Sequence, residues 1–194
     1  MTDLHTGSPV IAQKSLPAET VAEKLKKSFE ALGGEAQDIS IEISQRTDGH
    51  EVPSTSKNLW ITAPHRLFSD VVNALFELDT LHFHIISGFD DGGHAVTLRY
   101  HFSLYSYAER NGRLGVSVIV RVPKSELVMP SLFPLIPGIE YSERETREMY
   151  GVDFDGLPNK ALVFLPEQWD EEIKPWRDDE AGLSQKPDTV RRLS

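Results

Sequence analysis

The chain has 194 residues, 39% of them hydrophobic and 26% charged, a formal net charge of −10 and no cysteine. That composition fits a globular protein with room for one cored domain and a tail or two. The net charge argues against a nucleic-acid binder, which needs a concentrated basic surface. The absence of cysteine excludes disulfides, cysteine-ligated metal centres and a cysteine nucleophile.

Met1 to Leu16 is poor in apolar residues, and its start lacks the basic and apolar regions of a signal peptide. No apolar run is long enough to span a membrane, so any membrane association would run through another subunit; the cytoplasm is the default compartment, although a cysteine-free chain says little about redox environment. After Pro17, Val21, Leu25, Phe29 and Leu32 recur at helical spacing until Gly33 and Gly34 end the pattern. Ile39, Ile41 and Ile43 alternate with polar residues as in a half-buried strand, and a polar stretch with Gly49 and Pro53 loops to a second strand at Asn58 to Thr62. Pro64 opens a helix with a broad apolar face built from Leu67, Phe68, Val71, Val72, Leu75, Phe76 and Leu78.

Three strands follow: His82 to Ser87, Ala95 to Tyr105 and Leu114 to Val122. The sequence Asp90-Asp91-Gly92-Gly93 turns the first hairpin, and a wider turn around Asn111-Gly112 makes the second. Pro123, Pro130, Pro134 and Pro137 then break the chain into short turns before a charged helix that Gly151 stops. The element order predicts an α+β fold with helices packed on one face of a mostly antiparallel sheet, followed by an extended C-terminal arm. The expected organisation is an N-terminal arm over 1–16, an α+β domain over 17–168 and an extended tail over 169–194, where apolar residues are too scattered to build a core.

His82 and His84 share a strand face, with His94 and His101 nearby, but a metal needs three or four convergent ligands. Ordinary strand histidines are the commoner case; the alternative is a stand-alone soluble enzyme with a histidine-bound metal. Glu143, Glu145 and Glu148 are poorly spaced for an acid–base pair. Glu140/Arg144, Glu143/Arg147 and Arg144/Glu148 are instead spaced for i,i+4 ion pairs. The apolar stripe of Ile139, Thr146, Met149 and Tyr150 is thin for a helix of this length. Two readings fit: a solvated, salt-bridged helix, or one docked between its own sheet and a partner. No dinucleotide, Walker or nucleophile-elbow motif occurs, so no catalytic residues are expected.

The run Glu143-Arg144-Glu145, Glu148-Met149-Tyr150-Gly151-Val152, Phe154, Gly156 and Pro158 resembles the signature of the thirty-kilodalton subunit of respiratory complex I. That family includes the equivalent subunit of membrane-bound group 4 [NiFe]-hydrogenases and related ferredoxin-dependent complexes. Leu165-Pro166-Glu167-Gln168-Trp169 and Lys174-Pro175-Trp176-Arg177-Asp178-Asp179 resemble the family's ending, and the likeness runs from about Val21 to Glu180. Arg147 stands where an aromatic is usual, Glu148 where aspartate is, and Leu157 where histidine is.

The resemblance implies a non-catalytic peripheral subunit of a membrane-bound, ion-translocating redox complex, on the cytoplasmic face of the membrane. The variant motif leans to the hydrogenase type, with an NADH–quinone oxidoreductase as the alternative. It implies no cofactor on this chain and docking on a large hydrogenase-like catalytic subunit. An iron–sulfur subunit would lie alongside, with membrane subunits reached indirectly; iron–sulfur clusters, and a NiFe centre in the hydrogenase branch, would belong to those partners. The implied subunit interface is Glu143, Arg144, Glu145, Glu148, Tyr150, Gly151, Gly156, Pro158, Trp169, Trp176 and Arg177. Within it, Arg144 would hold a carboxylate bidentately.

Overall fold

A computed structural model describes residues 15–31, 40–48, 54–106, 108 and 112–183. It contains helices α1 (Ala18–Ala31), α2 (Phe68–Phe76) and α3 (Glu140–Tyr150). The strands are β1 (Ser40–Asp48), β2 (Ser54–Pro64), β3 (His82–Asp90), β4 (Ala95–Leu104), β5 (Leu114–Pro123), β6 (Val128–Pro130) and β7 (Asp153–Asp155). The expected stop at Gly33-Gly34, the strand start at Ile39, the Gly49 and Pro53 loop and residues 184–194 lie outside the described residues. So do Asn111 and most of the N-terminal arm.

Five strands form one sheet in the order β1-β2-β5-β4-β3, antiparallel except for the β2–β5 pair. The fold is therefore α+β with a mostly antiparallel sheet, as the element order predicts. Alternation on the strands decides which face is covered. Val96, Leu98, Tyr100, Phe102 and Leu104 of β4, and Val116, Val118, Val120 and Val122 of β5, are buried on one side. Val21, Leu25 and Phe29 of α1 and Phe68, Val71, Val72 and Leu75 of α2 belong to the same core cluster. The opposite side carries Trp60, Ile85 and His101 and has no helix of the described chain over it.

Pro64 does not start α2 directly. Pro64 is the last residue of β2, with an extended ψ of 148°, and a 3-10 turn over His65–Leu67 leads from it to the regular helix at Phe68. Leu78 falls in the turn beyond α2. The sheet hands over to the signature region through the parallel β6–β7 pair, too short to be read as strands in the sequence. Between those strands, α3 packs along the β3 edge. Its C-cap Gly151 takes φ 79°, a conformation that costs a side chain roughly 1 kcal/mol or more.

Leu98 is fully buried at the centre of the covered face. Leu98→Ala is expected to lower unfolding free energy by about 2–5 kcal/mol, read from urea denaturation of the full chain.

Candidate functional site

Helix α3 spends its charges on the backbone of its own chain. The carboxylate of Glu143, 0% exposed, accepts from the Ser131 hydroxyl at 2.6 Å and the Leu132 amide at 2.8 Å, which holds the turn before the helix against it. Burial pushes the Glu143 carboxyl up, and the bonds from Ser131 and Leu132 oppose that shift.

One turn on, Arg144 donates from Nε to the Ala161 carbonyl at 2.9 Å and from a terminal nitrogen to the Leu162 carbonyl at 3.2 Å. Its other terminal nitrogen meets Glu140 at 3.3 Å, and its guanidinium lies over the Tyr141 ring. Glu148, 1% exposed, accepts from the next three amides: Val163 in a short contact, and Phe164 and Leu165 at 3.0 Å each. Arg147 donates to the Lys160 carbonyl at 3.1 Å and pairs with Glu171 at 3.2 Å.

The helix thus takes the carbonyls of 160–162 and then the amides of 163–165 in sequence order. Charge-assisted bonds of this kind are about twice as strong as neutral ones, and they satisfy the Arg144 and Glu148 side chains, which are buried charges that need partners. We call this arrangement the clasp. Of the three i,i+4 pairs that the spacing suggests, Glu140 with Arg144 forms. Glu143 and Glu148 are bonded to loop backbone instead, so the helix is not a solvated salt-bridged one. Sequence spacing shows only partners on the same helix, whereas these lie 11 to 18 residues away.

The remaining interface candidates divide by exposure. The Tyr150 hydroxyl donates to the Gly88 carbonyl at 2.6 Å, which ties the end of α3 to edge strand β3. Arg177 is buried and donates to the Tyr150 carbonyl at 3.1 Å. Half-buried Trp169 bonds the Ile173 carbonyl, and half-buried Gly151 lies under the Lys174 side chain. Glu145 is half-buried, its carboxyl raised by burial and then by Glu148. Gly156, Pro158 and Trp176 are exposed. The clasped loop presents Phe164 at 56% exposure, and Tyr141 stands 62% exposed on α3; neither is marked in the motif.

Across from α3, the segment 174–183 folds back onto the β3–β4 hairpin. Lys124 reaches Asp90 at 2.7 Å and Asp179 at 2.9 Å; Arg177 reaches Asp90 at 3.3 Å and also pairs with Asp179. The Asp178 amide donates to Asp90, whose side chain is 0% exposed. These partners lie up to 88 residues apart, so no local pattern marks them.

Elsewhere, His84 bonds Ser103, and His101 lies between the hydroxyls of Ser87 and Ser117 at 3.0 Å each. The His82 and His84 rings meet edge to face. Among the described residues no group of three or more His, Asp or Glu is placed to hold a metal, and no helix is long and apolar enough to cross a membrane.

Residues 61–186 match the family described as respiratory-chain NADH dehydrogenase, 30 Kd subunit. The chain is 28% identical to membrane-bound hydrogenase subunit beta of Pyrococcus furiosus, over 87% of this chain and 89% of that one. It is also 28% identical to formate hydrogenlyase subunit 5 of Escherichia coli, over 69% of this chain but only 23% of that longer one. Among solved structures, a chain of a membrane-bound sulfane sulfur reductase, an archaeal respiratory membrane complex, shares the fold. Its TM-score is 0.61 at 17% identity, covering 90% of this chain and 94% of that one.

Two outcomes follow from the geometry. Glu148→Gln exchanges one carboxylate oxygen for a donor that faces amides, and is expected to cost about 1–3 kcal/mol in urea denaturation. Burial would raise the Asp179 carboxyl, but bonds from Arg177 and Lys124 hold it down at about 2. The folded value lies below the unfolded value of about 3.9, so this contribution to stability is complete above that pH and is lost as pH falls through about 2. Asp179→Asn is expected to flatten the acid limb of a stability-versus-pH profile.

Proposed function

The chain belongs to the family of the 30 kDa subunit of respiratory-chain NADH dehydrogenase, and on that premise we propose that it is a non-catalytic, peripheral subunit of a membrane-bound, ion-translocating redox complex. The observation that carries this reading is the alignment to a membrane-bound hydrogenase subunit over 89% of that subunit's length. A whole-length relation to a subunit favours a subunit role over a stand-alone enzyme. The same alignment favours the hydrogenase type; the family description itself supports an NADH–quinone enzyme as the second reading.

In this proposal the docking partner is a large hydrogenase-like catalytic subunit, with an iron–sulfur subunit beside it and membrane subunits reached indirectly. Iron–sulfur clusters, and a NiFe centre in the hydrogenase branch, belong to those partners, and the complex works from the cytoplasmic face. The chain's part is to present a shaped surface. The charges of α3 fix the backbone of 160–165, and the contact is made by what stands outside it: Phe164, Tyr141, the Gly156 to Pro158 turn and Glu145. A side chain held on an immobilised loop loses little entropy on docking, which is the physical value of the clasp. Glu143, Arg144 and Glu148 contribute by fixing the loops on which the contact residues stand.

The test is purification of the tagged chain from membranes in mild detergent, with identification of every co-purifying subunit. A large hydrogenase-like subunit, an iron–sulfur subunit and membrane subunits are expected. Phe164→Ser is expected to reduce their recovery about tenfold or more, as for loss of an aromatic hot spot, with the chain's own stability nearly unchanged. Recovery of the wild-type chain alone from the soluble fraction would contradict the proposal.

A further inference from the structure

Residues 169–183 run on from the clasp as a series of turns with little regular structure. Yet from 174 onward they are fastened at several points. The Lys174 amide bonds the Ala181 carbonyl at 2.7 Å, the Trp176 amide bonds the Met149 carbonyl at 3.1 Å and the Asp178 amide bonds the Asp90 carboxylate at 2.9 Å. The Lys174 stem covers Gly151, where a Cβ would approach it to 3.2 Å.

The fastening centres on one guanidinium. Arg177 bonds Asp90 at the end of β3, Asp179 in its own segment and the last carbonyl of α3, at Tyr150. Lys124, just beyond β5, joins the same two carboxylates. Two cations and two carboxylates thus tie a strap to three places: the hairpin, the exit of β5 and the C-terminus of α3. The cluster is closed upon itself, so its charges compensate one another away from water.

The residue this strap holds outward is Trp176. Its ring lies edge to face on Tyr150, with centroids 5.4 Å apart, yet it remains 50% exposed. Exposed carboxylates flank it in sequence: Glu172, Asp178 and Glu180, with Glu171 already paired to Arg147. Of the neighbouring cations, Arg177 is engaged in the cluster, and Lys174 lays its aliphatic stem over Gly151.

We propose that residues 174–183 form a strap latched by Asp90, Lys124, Arg177 and Asp179, which holds Trp176 beside the end of the signature helix as a preorganised docking residue for an apolar pocket with a basic rim on the partner subunit. Arg177 is then a positioning residue that acts through the strap, and Trp176 makes the contact. The indole supplies contact area at low entropic cost, and the acidic flanks select a cationic rim through charge complementarity. This inference rests on the reading of the chain as a subunit. The latch itself is a property of the chain alone, so the two can fail separately.

The test uses the full chain, free and in the detergent-extracted complex. In the free chain the Trp176 and Asp178 amides are expected to exchange slowly. Arg177→Met is expected to speed them about tenfold or more while the β4 and β5 amides stay unchanged, because Lys124 still neutralises Asp90. Trp176→Ala is expected to leave the Asp178 amide within about threefold of wild type and yet to reduce recovery of the complex. Unchanged exchange in Arg177→Met would overturn the latch, and wild-type recovery with Trp176→Ala would overturn the docking role. If the wild-type chain brings no other subunit with it, the subunit reading and the docking role fall together, and the exchange result still decides the latch.

Discussion

The structure around α3 depends on one constraint: the charged side chains buried on this helix, Glu143, Arg144 and Glu148, have to find hydrogen-bond partners, and the loop 160–165 and the turn at 131–132 supply them. Residues 160–165 make no strand ladder and enter no helix. Arg147 and Arg144 take their carbonyls and Glu148 takes their amides, so three side chains on one helix do the work that a neighbouring strand does in a sheet. Glu143 does the same for the turn before the helix. This is why a helix with a thin apolar stripe can be well buried: its charged residues reach neighbouring backbone within their own chain. Arg144 cannot be exchanged freely for lysine under this arrangement, because a single ammonium lacks the planar spread that bonds two carbonyls, a carboxylate and a ring face together.

The sheet and two of the helices were readable from periodicity. Alternation in β4 and β5 and the apolar face of α2 come from strong local patterns that tertiary packing reinforces. The β6–β7 pair was not readable, since three residues cannot show a period. For the site, the motif marked Glu143, Arg144, Glu148 and Tyr150, but their spacing suggested partners on the same helix. The real partners lie in loops brought near by the fold. The exposure of Phe164 and Tyr141 is not legible in the sequence, because an exposed aromatic carries no pattern. Asp90 looked like an ordinary hairpin residue, and only its contacts with Lys124 and the strap distinguish it.

These features divide the labour in a way that suits a subunit. The sheet supplies rigidity, the clasp fixes one loop, and the latched strap fixes the segment beyond it. Each leaves aromatic side chains outside: Phe164 and Tyr141 by the clasp and Trp176 on the strap. Rigid presentation of a few large side chains favours tight association better than a wide mobile surface does. The His82/His84 pair, by contrast, has hydroxyl and ring contacts of the kind strand histidines commonly make.

In the proposed complex the clasp turns the 160–165 loop outward toward another subunit. A photo-reactive phenylalanine analogue at position 164, in the chain purified with its membrane complex, tests it most directly. The analogue is expected to form a cross-link to a neighbouring subunit, mapped by mass spectrometry to one short region of that subunit. An intact complex that yields no link from position 164 to any other chain would contradict it.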